Sequence, residues 1–407
     1  MLVAKKTAKK DERIIAQTKG TFQIIGKVTG VERDKYYVDG IVEKGKNKDK
    51  EFRSMNFGIK TSDNQTIYLR MYAVEPEFVW VIDNNPDNRK KGEKAKVDKV
   101  TYEEYTDKRE AWQDEARIPL DMAVNLESTD PKASSEHFVT YDAIDYLYDN
   151  LENGMTVYVK GDLKRNTYEN RQGDVVASIN YEPRTIKLSD KVMDESDAKF
   201  YEYAKFKEEF ILTDTELNKE EQSLMVYGKT ADYAENLHDA VFEINYSPEA
   251  NGLIEDTTGM SEDQIKKNKE YVDEQVSMKQ RMIKAFKKLK YGTLLLCEGK
   301  IINKVIVTEE EADDDDDLFA DLRGSSNKVV RDYITSMRIT GTESYTPEKY
   351  SEEEVMAVLD KNNVVEDIKE DDEDDDLGDL RGESSKSKKK DDFDDFDDDF
   401  LESDLPF

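Results

Sequence analysis

The chain has 407 residues, with 93 Asp and Glu against 61 Lys and Arg and a formal net charge of −32. A single cysteine, Cys297, and two histidines, His137 and His238, exclude a disulfide framework and Cys/His zinc sites and argue against nucleophilic triads. No apolar stretch approaches a membrane span, and the basic start (Lys5, Lys6, Lys9, Lys10) lacks the apolar centre of a secretion signal, so a cytoplasmic protein with no membrane partner is expected.

The acidic excess sits in two blocks, one running from Glu309 to Asp321 and a larger one after Glu366. The rest of the chain is only mildly acidic, so the net charge says little about its folded surfaces. The length predicts two or three domains.

Residues 1–19 read as a basic, disordered N-terminus. From Thr21 the pattern is strand-rich: Thr21 to Val28, Tyr36 to Val42, Phe52 to Lys60 and Thr66 to Ala73 alternate or carry β-branched and aromatic residues. Residues 75–138 are polar, contain the basic run Arg89 to Lys99, and are expected to be an insertion too hydrophilic for a core. Tyr141 to Leu151 has helical spacing, with Thr140 to cap it and Gly154 to end it. Met155 to Leu163 and Val175 to Tyr181 follow as strands. Three strands, a helix and two strands make the order of a five-stranded OB barrel over residues 20–190.

The pattern returns over residues 191–350, with strands near Phe206 to Leu212, Ser223 to Lys229 and Ala240 to Asn245, a basic helix from Met278 to Leu289, and a final strand from Val329 to Ile339. The segment Gly292 to Gly299 has the same glycine spacing as Gly154 to Gly161, which marks an internal repeat. The fold class expected is therefore mainly β, two tandem OB-fold barrels, with an acidic loop at 309–325. Residues 351–407 read as a short helix, Glu352 to Leu359, followed by a disordered acidic tail.

Alternation separates the two faces of each strand. On the strand from Thr66, Ile67, Leu69 and Met71 point inward and Tyr68, Arg70 and Tyr72 outward. On the strand from Met155, Tyr158, Lys160 and Lys164 point outward, with Arg165, Tyr168 and Arg171 toward the following turn. Lys27 lies on the outer side of the first strand, with Arg33, Lys35, Tyr36 and Tyr37 at its exit. Aromatic rings stack on unpaired bases at about 1–3 kcal/mol each whatever the sequence, and interleaved cations follow the phosphates. In the second repeat the equivalent outward positions are Leu294, Leu296, Glu298 and Lys300, an apolar face expected to pack on the first barrel or on a second subunit.

Catalytic readings fail. Gly228-Lys229-Thr230 ends like a phosphate-cradling loop, but the position of its first glycine is Ser223. The aspartates lie in low-complexity runs without fixed geometry, so neither an enzyme nor a cofactor is expected.

The chain ends in DDFDDFDDDF, Asp391 to Phe400, and the tip Asp404, Leu405, Pro406 and Phe407. An apolar ring beside a free carboxylate is a peg for a partner with a greasy socket and nearby cations. This tip, the segment Leu151 to Leu163 with Tyr168 and Gly173, and the opening Phe22 to Thr29 resemble bacterial and phage single-stranded DNA-binding proteins. The resemblance implies coating of single-stranded DNA in replication, recombination and repair, docking of replication and repair proteins on Phe407, and a homo-oligomer, here a dimer supplying four barrels. It also implies a tail that competes with DNA for the groove, which the acidic loop is expected to imitate. The large insertion and the presence of only Trp80 and Trp112 depart from the family and point to a divergent, phage-encoded member. Single-stranded RNA binding and an acidic scaffold are the alternatives; a scaffold has no use for the row Tyr68, Arg70, Tyr72, Tyr158 and Lys160.

Overall fold

The computed structural model describes residues 13–32, 36–83, 95–130, 132–169, 175–197, 199–248, 251, 253, 261–310 and 328–369. The fold is mainly β. Its first strands, β1 (Gly20–Thr29), β2 (Tyr37–Ile41), β3 (Glu51–Ser62) and β4 (Gln65–Val74), form where alternation is cleanest. In β3, for example, Met55, Phe57 and Ile59 are buried while Asn56 between them is exposed.

The insertion has its own architecture. β5 (Phe78–Asp83), β6 (Val97–Thr101) and β7 (Arg117–Pro119) form a three-stranded sheet backed by α1 (Tyr102–Asp114). Contrary to expectation it owns a core: Val79, Val81, Tyr105 and Trp112 are buried together with Val139 and Tyr141. Strict alternation in β5 supplies an inward apolar side too thin to register in average composition. Two further short strands, β8 (Met122–Asn125) and β9 (Glu136–Phe138), join the main sheet, β8 running parallel to a later strand.

The helix α2 (Thr140–Asn150) buries Ala143, Ile144 and Leu147 against the first barrel. Thr140 is its first residue rather than its cap; Val139 holds the cap position and offers no side-chain bond. β10 (Thr156–Glu169) and β11 (Val175–Leu188) complete the barrel, with antiparallel ladders β4–β3, β3–β1, β1–β10 and β10–β11.

The second barrel comprises β12 (Tyr203–Asn218), β13 (Ser223–Ala231), β14 (Leu237–Asn245), α3 (Glu262–Phe286), β15 (Leu294–Glu310) and β16 (Lys328–Thr346). Its ladders close the cycle β12–β13–β14–β16–β15–β12, the β14–β16 step being parallel at Glu243 and Arg338. That is the strand order of an OB barrel. α3 begins well before the expected Met278, at a capping box of Ser261 and Gln264, and buries Ile283 and Phe286.

The barrels are joined first strand to first strand. β1 and β12 pair antiparallel with Phe22 opposite Phe206, and these two rings face Gly161 and Gly299 in the neighbouring strands β10 and β15. An added Cβ at Gly161 would collide with the Glu182 carbonyl and the Phe22 ring, and at Gly299 with the Arg338 carbonyl and the Phe206 ring. The repeat read from glycine spacing is thus a local two-fold about the Phe22–Phe206 pair. One hydrophobic cluster runs through both barrels, from Phe22 and Met55 to Phe242 and Ile339.

Both ends of the described chain pack on the second barrel. Ile15, within the stretch expected to be disordered, is fully buried with Ile211, Leu237 and Leu294, and its N–H donates to Glu235 at 3.1 Å. The helix α4 (Glu352–Lys369) covers the same patch with Val355 and Val358. Leu294, expected to await the first barrel or another subunit, is therefore roofed by the chain's own C-terminal helix and Tyr350.

Candidate nucleic-acid interface

Six strands, in the order β11, β10, β1, β12, β15, β16, present their outer side as one wall across the barrel junction. Inward positions on β12 are Ala204, Phe206, Glu208 and Phe210, all buried, so Tyr203, Lys205 and Lys207 face out. The ladder then sets side chains in rows. Lys160 stands opposite Gln23, Gln23 opposite Lys205, Lys205 opposite Lys300, and Lys300 opposite Arg338. One step along, Tyr158 stands opposite Ile25 and Ile25 opposite Tyr203.

Tyrosine, isoleucine, tyrosine therefore lie beside lysine, glutamine, lysine. Ile25 is buried yet belongs to no core cluster. The Tyr203 hydroxyl donates to Gln23 Oε1 at 2.8 Å, Lys205 Nζ lies 4.8 Å from the centre of the Tyr203 ring, and Tyr201 lies 6.3 Å from Tyr203. Burial, and then the neighbouring Tyr203, raise the Tyr158 hydroxyl above the usual phenol range, so it remains neutral.

Cations opposite one another across a ladder are destabilising. Lys300 nevertheless has Lys205 on one side and Arg338 on the other, and Lys160, Lys205 and Lys300 are exposed with no carboxylate partner among the described residues. The adjacent row is neutralised: Asp162 pairs with Arg184 at 2.8 Å, and Lys207 pairs with Glu343. Lys279 of α3 adds a further positive charge. Its Nζ donates to the Ile339 carbonyl at 3.1 Å, and burial, then Lys300 and Arg338, push its pKa down to about 8. Arg338 itself is paired with Glu243 at 2.8 Å. From Lys160 to Lys300 the row crosses three strand spacings, about 14 Å.

The residues expected to form one wall fall on two faces. Tyr68, Arg70 and Tyr72 do face outward on β4, with Arg70 exposed opposite exposed Asn56 and Tyr72 stacked on Phe52 at 5.7 Å. β4, however, is separated from β10 by β11 on one side and by β3 and β1 on the other. Tyr68 lines one small crevice with Ile302 and Ser336, which lie two residues along their strands from Lys300 and Arg338. Lys27 is exposed opposite Lys60.

The placement of Arg165 is corrected, and three further candidate residues have partners of their own. Arg165 does not face solvent: its guanidinium is buried in a two-pronged pair with Glu208 of the second barrel, at 2.8 and 2.9 Å, with the Phe242 ring 5.1 Å away. Lys164 is held by Glu182 at 2.7 Å. Tyr37 turns toward α2, donating to Asp145 at 2.8 Å and lying 4.3 Å from the Tyr148 ring, on which Tyr36 also stacks at 5.5 Å. Arg33, Lys35 and Arg171, the side chain of Tyr168, the tip Asp404, Leu405, Pro406 and Phe407, and most of the acidic loop 309–325 lie outside the described residues.

Sequence reasoning missed Tyr203, Lys205 and Lys300 as partners of this wall. The signal was present: Tyr201-Glu-Tyr203-Ala-Lys205-Phe-Lys207 alternates as Tyr158-Val-Lys160 does, but the strand was expected to start at Phe206. Among the described residues no group of three or more His, Cys, Asp or Glu is placed to hold a metal, and no helix is long and apolar enough to cross a membrane.

The fold and wall define a tandem OB-barrel protein with a Tyr/Lys-faced outer sheet. The YorF family model matches residues 122–372, and the chain belongs to that family. No curated protein matches the sequence. Among solved structures, a deletion mutant of the single-stranded DNA binding protein from Thermus aquaticus is similar at 11% identity and a TM-score of 0.31, over 83% of this chain and 100% of that one.

Proposed function

We propose that the chain binds single-stranded DNA without strong sequence preference, laying unpaired bases on the tyrosines of the junction wall and the strand's phosphates along its lysine row. The observation that carries the reading is the grid of Tyr158, Ile25 and Tyr203 beside Lys160, Gln23 and Lys205, continued by Lys300. Rings accept any base, and lysines set opposite one another without carboxylates are relieved by a polyanion. The role is that of a binder, not a catalyst. In this reading the protein coats exposed strands in replication, recombination and repair, with β4 of the first barrel as an adjoining surface, and the tip ending in Phe407 recruits partner proteins.

The test is a titration of the full chain with oligo-dT, oligo-rU and duplex at several salt concentrations. The reading expects oligo-dT to bind best, with affinity falling steeply as salt rises. Equal affinity for oligo-rU widens the substrate to single strands of either sugar, since nothing in the wall reads a 2′-hydroxyl. No binding of any of the three in dilute buffer overturns the reading.

A further inference from the structure

The insertion carries an exposed aromatic face that the junction wall does not use. On β5, Val79 and Val81 are buried at 3% and 1% exposure, while Phe78 and Trp80 stand out at 40% and 55%. Trp80 is opposite Lys99 of β6, whose Nζ lies 3.8 Å from the centre of the Phe78 ring and 5.9 Å from that of Trp80. The other residues paired on this face are Thr101, Val97 and Ile118, and no carboxylate is among them. The chain's second tryptophan, Trp112, is buried in the core behind the same sheet.

We infer that Phe78, Trp80 and Lys99 form a second stacking platform for unpaired bases of the strand bound at the barrels. The inference rests on the single-strand reading above. Three features favour a nucleic acid over a protein as the occupant. Lysine is depleted from the centres of protein–protein interfaces, yet here one lies over both rings. Alternate residues of a strand sit about 6.8 Å apart, twice the ~3.4 Å step of stacked bases, which suits bases splayed onto separate rings. The face is also close to the first barrel's outward row. Only Glu75, Pro76 and Glu77 separate β4 from β5, and the six residues from Tyr72 to Phe78 span at most about 20 Å. Phe78 and Trp80 thus lie within reach of a strand bound over Tyr68, Arg70 and Tyr72.

Trp80 reports on its own site. Labelled oligo-dT is titrated with the full chain, reading DNA anisotropy for binding and tryptophan emission for occupancy of the platform, alongside Trp80→Phe and Trp80→Ala. The expected result is quenching on saturation that Trp80→Phe abolishes, and an affinity loss of about 5- to 150-fold in Trp80→Ala, the stacking of one base. Far-UV circular dichroism checks that the variants fold. Anisotropy showing bound DNA while emission and the affinity of Trp80→Ala stay unchanged overturns the platform and leaves the junction wall standing. Absence of binding overturns both.

Discussion

The two barrels share a strand order and a glycine–phenylalanine packing motif, and they differ in what covers equivalent strands. In the glycine alignment Leu296 stands where Tyr158 does, and Glu298 where Lys160 does. On the second barrel that strand is partly roofed, Leu294 lying under Tyr350, Val355 and Val358. On the first it is left bare, and its tyrosine and lysine continue onto β12 as Tyr203 and Lys205. A repeated fold has thus been given unlike outer faces. The junction wall centres on β10 and β1 and includes lysines from the second barrel, so its rows exist only while the barrels stay in register.

That register is where the largest effect is expected. Arg165 and Glu208 are 6% and 2% exposed at the side chain, and removing one partner of a buried pair costs about 3–5 kcal/mol because the other charge is stranded. Arg165→Ala should lower the urea midpoint accordingly, and Arg165→Met combined with Glu208→Leu should recover much of the loss. An unchanged midpoint in Arg165→Ala would remove the clamp from the account.

The contrast between the barrel faces is sharpened by paired substitutions. Tyr158→Ala and Tyr203→Ala should each weaken oligo-dT binding by about 1–3 kcal/mol, whereas Leu296→Ala, at the position equivalent to Tyr158, should leave affinity nearly unchanged. Equal losses at all three positions would contradict the asymmetry.

The smallest effect concerns Lys279. In the unfolded chain a lysine keeps its proton to about 10.5, while in the fold Lys279 loses it near 8 because burial, Lys300 and Arg338 disfavour its charge. Between those values the unfolded chain binds more protons, so this group makes stability rise with pH from 8 upward, by at most about 1.4 kcal/mol per pH unit. Below 8 the charged form is carried at full cost. Lys279→Met should flatten that rise in urea melts at pH 7.5 and 9, and a slope unaltered by the substitution would place the charge elsewhere.

Much of the fold was legible because alternation and punctuation coincided. Thr66 to Ala73 and Met155 to Leu163 read as strands with the right inward side, and the glycines at 154, 161, 292 and 299 announced the repeat. The insertion's core was not legible, since its inward residues are few and sit in a segment whose average composition is polar. Nor was the junction. Which strand edges meet depends on contacts far apart in the chain, and so does the fate of a surface cation. Arg165 shares the inward parity of Val159 and Leu163, and what makes burial of its charge tolerable is Glu208, far along the chain. Tyr68 and Tyr158 were each placed correctly on an outer face, but the barrel's curvature put them on different sides of it.

Lysine acetylation of the full chain, read by mass spectrometry with and without saturating oligo-dT, tests the junction wall directly. Lys160, Lys205 and Lys300 should be protected together by DNA, while Lys290 and Lys361, paired with Glu348 and Glu235 away from the wall, should react as before. Bound DNA that leaves all three lysines of the row as reactive as in the free protein would contradict the account.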